Sequence, residues 1–188
     1  ENKTAKEDNS NLEINFIDLN EIGDAIFIKL PNDKKILIDS GANDKKGELI
    51  LNFLSQKKVE KIDIVLLSHP HIDHMGGLPF LLKNIKIDKY IDSRYPSTTK
   101  IYKNILEIVN EKNIAYETVK KGDTIDMDKN VSIEVLSPLG YSANQKENKN
   151  VNNSSVVLKI VYNNISFLLT GDAEKEIEYK LIESSPEK

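Results

Sequence analysis

The most informative segment of this chain is Ser68-His69-Pro70-His71-Ile72-Asp73-His74-Met75-Gly76-Gly77. It holds all three histidines of the 188-residue chain, in an HxHxDH pattern. Residues 62–68, which come directly before the first histidine, form a nearly continuous apolar run that is typical of a strand buried on both faces. Because α/β sheets usually place a ligand site at the carboxyl end of such a strand, the motif is predicted to lie in a functional site.

The spacing within the motif favours metal binding. In an extended segment residues i and i+2 point the same way, so His69 and His71 can present two imidazoles to one ion. Asp73 and His74 are expected to turn the other way, toward the helix that the glycine pair permits. Ligands on two sides of one loop suit two adjacent cations, which hydrolytic sites place about 3.5–4 Å apart around a bridging hydroxide. A surface histidine is more often an ordinary polar residue, but chance rarely gathers every histidine of a chain into one ligand pattern.

The composition excludes several classes of site. With no cysteine, the chain has no disulfides, thiolate metal sites or cysteine nucleophiles, so any metal must be held by His, Asp or Glu. The 26 basic and 30 acidic residues give a formal net charge of −4, which counts against nucleic-acid binding by bulk electrostatics but leaves a local patch open. The apolar runs are far shorter than the roughly 20 residues of a membrane helix, so no span is predicted within the chain.

Hydrophobic periodicity predicts one layered domain. Strands are predicted at residues 12–18, 24–30, 35–39, 62–67, 87–91, 115–119, 131–136, 156–161 and 165–169. Helices are predicted at residues 48–57, 77–83, 98–112 and 173–182. The polar residues 1–11 read as a disordered leader or tether, and residues 140–153 as a long flexible loop. Residues 12–188 therefore form an α/β (α+β) domain with helices packed outside sheets.

The motif also carries a family resemblance. It resembles the HxHxDH motif of the metallo-β-lactamase-fold superfamily. Over residues 12–180 the chain is similar to the hydrolase domain of ComEC-type late-competence proteins, through the motif itself and through Asn15-Phe16-Ile17-Asp18, Gly23-Asp24-Ala25-Ile26-Phe27-Ile28, Ile36-Leu37-Ile38-Asp39-Ser40-Gly41, Ser137-Pro138, Asn153-Ser154 and Phe167-Leu168-Leu169-Thr170-Gly171-Asp172. The resemblance implies an αββα sandwich with metals at the edge of two facing sheets.

Further site residues follow from the resemblance. It implies the metal ligands His69, His71, Asp73, His74 and Asp172. Asp172 matches a carboxylate that bridges both metals, although an Asp in this position could also cap the following helix. Asp39 matches an aspartate that steadies the histidine loop from the second shell, although an Asp at a strand end is also a common turn residue.

The chain departs from the family pattern in one important place. Many superfamily members carry a third histidine where this chain has Asn153-Ser154, but ComEC-type members lack it too, which leaves His69, His71 and Asp172 for the first metal. The family's last ligand is a histidine on a later strand, and no histidine follows Asp172 here. The resemblance therefore implies a sandwich truncated on its C-terminal side, with an incomplete second half.

The resemblance implies a metal-dependent hydrolase. A metal-bound hydroxide would attack a phosphodiester, since ComEC-type domains are proposed to degrade DNA during uptake, and Asp73 would also orient the nucleophile. The expected cofactors are one or two divalent ions, Zn or Mn. The expected partner is single-stranded DNA or a small phosphodiester. Two alternatives stay open, namely a hydrolase of another ester or amide, and a non-catalytic metal-binding domain at the cell surface.

The basic residues and the tether bear on source and location. Arg94 is the one arginine beside 25 lysines, and the abundance of Lys, Asn and Ile indicates an AT-rich bacterial genome. The pairs Lys45-Lys46, Lys57-Lys58 and Lys120-Lys121 are either ordinary solvated residues or neighbours of a phosphate-bearing substrate. The leader favours an extracytoplasmic protein, secreted or membrane-anchored by an upstream segment.

Overall fold

The computed structural model describes residues 11–139 and 150–184. Its strands are β1 (Glu13–Phe16), β2 (Ile26–Lys29), β3 (Lys35–Ile38), β4 (Lys61–Leu66), β5 (Lys86–Asp92), β6 (Ala115–Thr118), β7 (Val131–Ser137), β8 (Val157–Tyr162) and β9 (Ile165–Leu169). Its helices are α1 (Asp44–Gln56), α2 (Ile72–Met75), α3 (Leu78–Asn84), α4 (Lys100–Glu111) and α5 (Lys175–Ser184). The predicted leader lies outside the described residues apart from its last residue, as does the predicted loop apart from residues 150–153.

The described strands form two sheets. The larger sheet has the order β1-β2-β3-β4-β5-β6, in which the first three strands pair antiparallel and the last four pair parallel. β2 and β3, which match the strands predicted at residues 24–30 and 35–39, form an antiparallel hairpin with Phe27 opposite Leu37. The smaller sheet is the antiparallel set β7-β8-β9. The parallel half of the larger sheet brings the carboxyl ends of β3, β4, β5 and β6 to one edge, where a site can assemble.

The core lies on both faces of the larger sheet. In β4 and just after it, Val65 and Leu67 pack in a cluster with residues of α1, α3 and α4, while Ile64 and Leu66 pack in a second cluster with residues of β7, β8 and β9. Burying each such side chain contributes about 1.5–3 kcal/mol. The prediction that this strand is covered on both faces is confirmed, and the arrangement agrees with the αββα sandwich.

The helix ends follow from local capping. α1 begins four residues before the predicted start because the Asn43 side chain accepts hydrogen bonds from the amides of Lys45 and Lys46. The Thr99 side chain caps α4 in the same way, through the amide of Tyr102. α5 begins at Lys175, two residues after the predicted start. Among the described helices, none combines the length and apolar character needed to cross a bilayer.

Candidate metal centre

Asp39 and Ser68 leave neighbouring parallel strands at the same edge. Ile38 of β3 is in register with Leu66 of β4, and the Asp39 amide donates to the Leu66 carbonyl at 3.0 Å. The Asp39 carboxylate accepts from the Ser68 amide at 2.8 Å and from the Ser68 hydroxyl at 2.6 Å. Asp39 adopts a left-handed backbone (φ 59°), which an aspartate tolerates better than most residues. This turn fixes the point from which the histidine loop departs.

The glycine pair presses the histidine loop against the end of β3. A Cβ atom on Gly76 would lie 2.0 Å from the Ala42 carbonyl group, and one on Gly77 would lie 2.3 Å from the Ser40 carbonyl oxygen. The amide and hydroxyl of Ser40 both donate to the His74 carbonyl oxygen, at 2.7 and 2.9 Å. The close backbone contact therefore holds α2, and His74 within it, in a fixed position.

The motif side chains converge on one small volume. His69 Nε2 lies 3.1 Å from His71 Nδ1, so the expected pairing of these two imidazoles is present. His74 Nε2 lies 3.8 Å from an oxygen of Asp73. From the sequence, Asp73 and His74 are expected to point away from His69 and His71. For His74 this expectation is wrong, because its ring centroid lies 4.2 Å from that of His69. The reason is that the chain turns into α2 already at Ile72, which carries His74 back over the loop.

Asp172 reaches the same volume from the smaller sheet. One of its carboxylate oxygens lies 3.4 Å from His74 Nε2 and 3.8 Å from His69 Nε2. Its amide donates to the Ser155 hydroxyl at 3.2 Å, and the Val156 amide donates to the Ser68 carbonyl at 2.9 Å, which ties the two sheets together beside the site. Since α5 begins at Lys175, Asp172 lies two residues before its cap position and does not cap it.

Two histidines have opposite charge environments. Burial, together with the nearby charges of His74 and His71, lowers the pKa of His69 to about 3, so its imidazole is neutral and keeps a lone pair. Burial also acts to lower the pKa of His74, but the hydrogen bond and charge of Asp39, aided by the charges of Asp172 and Asp73, outweigh it and raise the pKa to about 9. His74 Nδ1 lies 2.9 Å from Asp39 Oδ2.

Asp24 is a site residue that sequence reasoning missed. Its carboxylate lies within 4.8 Å of ligand atoms of Asp39 and His74. Burial raises its pKa, and the charges of Asp39, Asp172 and Asp73 act in the same direction against that of His74. Gly23 allows this approach, because a Cβ there would lie 2.5 Å from the Asp73 carbonyl oxygen. The sequence signal that could have identified Asp24 is the Gly23-Asp24 pair at the start of the strand predicted at residues 24–30.

The donor set fits a divalent cation. His69, His74 and Asp172 each offer one ligand atom, and these atoms lie within 4.8 Å of one another. His71 and Asp73 lie beside this group, at the distances given above. Imidazole nitrogens with carboxylate oxygens suit Zn²⁺ or Mn²⁺. The Asp39 carboxylate accepts from Nδ1 of His74, which leaves Nε2 facing the convergent group, the arrangement that metal-binding histidines commonly have.

Comparison with known proteins identifies the family of the chain. The family model for the metallo-β-lactamase superfamily matches residues 20–184. The chain is 30% identical to the ComE operon protein 3 of Bacillus subtilis over 93% of its own length and 24% of that protein. It is 30% identical to the endoribonuclease YSH1 of Saccharomyces cerevisiae over 46% of its own length and 11% of that protein. The chain thus spans a quarter or less of these relatives.

A solved structure supports the same fold. The metallo-β-lactamase-type protein tm0894 of Thermotoga maritima superposes with a TM-score of 0.61 at 14% identity, over 92% of this chain and 91% of that one. At that identity the likeness concerns the fold alone. The family resemblance drawn from the HxHxDH motif is confirmed, and the chain belongs to the metallo-β-lactamase superfamily.

Proposed function

We propose that this domain hydrolyses phosphodiester bonds in nucleic acid, with one or two divalent ions, Zn²⁺ or Mn²⁺, as cofactors. The observation that carries the proposal is the convergence of His69, His74 and Asp172 at the carboxyl edge of the parallel strands. Divalent ions bound there would supply a hydroxide nucleophile at neutral pH and offset the charge that develops on the phosphoryl oxygens.

The protein residues would hold and orient the reacting groups. His69 is neutral and fully buried, so it can serve as a ligand without first losing a proton. Asp172 faces both His69 and His74, so its carboxylate would help these histidines to hold the bound ion or ions. The Asp73 side chain is 29% exposed and has an oxygen 3.8 Å from His74 Nε2, from where it would orient the attacking water. Asp39 keeps the His74 ring fixed while the substrate enters.

The relatives favour a nucleic-acid substrate over other esters and amides. The yeast relative is an endoribonuclease, and the match to the ComE operon protein 3 covers nearly the whole of this chain. The lower-ranking alternatives, another ester or amide substrate and a non-catalytic metal-binding domain, give different results in the experiment below.

Turnover of three chromogenic substrates tests the proposal. We expect the Mn²⁺- or Zn²⁺-loaded protein to cleave bis(p-nitrophenyl) phosphate, to cleave p-nitrophenyl acetate and a chromogenic β-lactam far more slowly, and to lose activity with a chelator. His71→Ala should lower kcat on the phosphodiester at least about a hundredfold, in line with loss of a metal ligand. Glu111→Ala, at the far end of α4, is the control and should leave kcat unchanged.

Two results would contradict the proposal. A protein that binds metal and cleaves none of the three substrates, nor single-stranded DNA, would be the non-catalytic domain. Faster cleavage of the acetate or the β-lactam than of the phosphodiester would identify the substrate as another ester or amide.

A further inference from the structure

The edge that holds the histidine loop extends over two further strands. β4, β5 and β6 are parallel, with Leu66 in register with Ile91 and Asp92 in register with Thr118. The segments that follow these strands, which carry His69, Arg94 and Lys120-Lys121, therefore leave the sheet on the same side. Neighbouring strands lie about 4.8 Å apart, so the end of β6 is about 10 Å from the end of β4.

Arg94 is held at this edge by a buried carboxylate. Its amide donates to Asp92 Oδ1 at 2.7 Å, and its backbone is left-handed (φ 57°). The Asp92 carboxylate is 2% exposed and also accepts from the hydroxyls of Tyr102 at 2.7 Å and Tyr116 at 3.1 Å. A strained, anchored backbone at an exposed residue indicates that the position of the side chain matters.

Arg94 is chemically distinct from the other cations of the chain. It is the only arginine among 26 basic residues. A guanidinium is a planar fork that pairs with two phosphate oxygens at once, whereas a lysine is a single point charge. All other basic residues of the chain are lysines. A single arginine at the carboxyl edge of the parallel strands, near the candidate metal centre, therefore favours the binding of an oxyanion such as phosphate there.

Lys120 and Lys121 follow β6 at the same edge. The Lys120 amide donates to the Asp123 carboxylate at 2.8 Å, and the Lys121 amide donates to the Pro138 carbonyl at 2.7 Å, so both positions are fixed by the backbone. Within residues 11–139 and 150–184, no carboxylate makes an ion pair with Arg94, Lys120 or Lys121. Lysines at other places, such as Lys61 and Lys89, are paired with carboxylates. These three cations, here called the basic edge, are therefore available to an anion.

We propose that the basic edge binds successive phosphates of a single-stranded nucleic acid whose scissile phosphodiester lies at the candidate metal centre. This inference rests on the proposed function. With a net charge of −4, the protein as a whole does not attract a nucleic acid. A short row of cations beside the candidate metal centre would therefore orient the nucleic-acid strand. Three cations along one edge could contact only a few successive phosphates, which matches a short stretch of one strand.

Binding and turnover of matched variants test this inference. Affinity for a fluorescein-labelled oligothymidylate is measured by anisotropy at several salt concentrations, and turnover is measured on the same oligonucleotide and on bis(p-nitrophenyl) phosphate. Arg94→Ala should weaken binding and raise KM for the oligonucleotide about tenfold or more, and should lower the salt slope by about 0.7, the value for one phosphate contact on a single strand. Arg94→Lys should restore only part of the affinity.

Controls separate the basic edge from general charge effects. Lys86→Ala removes an exposed cation from the opposite end of β5 and should leave affinity and KM unchanged. The ratio of kcat/KM on the oligonucleotide to kcat/KM on bis(p-nitrophenyl) phosphate should fall about tenfold or more in Arg94→Ala, because the small substrate has a single phosphate and does not reach the edge, and should keep its wild-type value in Lys86→Ala. Lys120→Ala with Lys121→Ala should lower the salt slope further, since each contact adds to it.

The outcomes that overturn the inference differ from those that overturn the proposed function. Equal losses for Arg94→Ala and Lys86→Ala, unchanged oligonucleotide affinity in Arg94→Ala, or equal binding of the same sequence as a duplex would each overturn the basic edge. A wild-type protein without phosphodiester turnover would overturn the proposed function instead, and the anisotropy measurement would still decide the binding role.

Discussion

His74 Nδ1 lies 2.9 Å from Asp39 Oδ2, and both side chains are 2% exposed. The same carboxylate accepts hydrogen bonds from the amide and hydroxyl of Ser68, so one buried aspartate orients two segments of the histidine loop. Because Nδ1 donates to Asp39, the opposite ring nitrogen faces the carboxylates of Asp73 and Asp172. The protonation state of this one ring therefore connects metal binding to pH.

Metal binding is expected to release a proton from His74. In the metal-free chain the pKa of His74 is about 9, so at pH 7 both ring nitrogens carry protons, and a metal at Nε2 must displace one. Apparent metal affinity should rise about tenfold per pH unit up to about pH 9. Calorimetric titration with Mn²⁺ in buffers of different ionisation enthalpy measures the released protons directly. Affinity independent of pH across this range would contradict the assignment.

Asp39→Asn is expected to weaken metal binding without removing a ligand. The amide cannot supply the charge that raises the pKa of His74, and it loses one acceptor toward Ser68. Loss of such a partner typically costs about 10–100-fold in metal affinity. The pH dependence of metal affinity should shift to lower pH as the pKa of His74 falls. Asp126→Asn, an exposed aspartate between β6 and β7, is the matched control, and equal affinity in the two variants would count against the role of Asp39.

Gly76→Ala is expected to destabilise the fold through lack of space alone. Gly76 has an ordinary helical backbone (φ −62°), so alanine is allowed by conformation, but its Cβ would lie 2.0 Å from the Ala42 carbonyl. The expected loss in the free energy of unfolding is about 1–3 kcal/mol or more. Gly122→Ala tests the opposite case, since it has open space but a left-handed backbone (φ +91°). Urea unfolding of both variants separates steric cost from backbone strain, and a wild-type midpoint for Gly76→Ala would refute the contact.

The metal-free chain is expected to be most stable near the ordinary histidine pKa of 6.5. The pKa of His74 is raised to about 9, so its stabilising contribution is present below 6.5 and is lost as the pH rises toward 9. The pKa of His69 is lowered to about 3, so the unfolded chain takes up its proton first and stability falls as the pH drops below 6.5. Thermal unfolding in the presence of a chelator across this pH range measures the maximum. A Tm that rises steadily up to pH 9 would show that His74 is not held as a cation.

Much of the fold could be predicted because the strong signals are local. Neighbouring residues alone predict the apolar run of β4, the short apolar segments of β2 and β3, and the helical spacing of apolar residues in α4. Helix starts were less accurate because caps such as Asn43 lie outside the apolar period. The short helix α2 was missed for the same reason, since four residues carry no periodicity.

The candidate site was predictable where its residues are adjacent in sequence, and less so where the sheet brings them together. The three histidines are recognisable because they lie within six consecutive residues, 69–74. Asp24 lies beside Gly41, which comes just after β3 and whose amide donates to the Asp24 carbonyl at 3.0 Å, and His74 reaches the same place from the segment after β4, an approach that no local pattern reveals. Arg94 drew attention by composition, but its place at the edge depends on the parallel register of β4 and β5.

The contribution of Asp172 from the smaller sheet has a consequence for how the protein matures. His69 and His74 lie in the segment that follows β4 of the larger sheet, whereas Asp172 follows β9, the last strand described. A ribosome-bound chain that has exposed only the histidine loop would hold an incomplete ligand set. Long-range contacts of this kind form late, after loop-closure entropy has been overcome. Partly synthesised molecules would therefore bind the ion more weakly than the folded domain, and full metal affinity would be reached only when folding is complete.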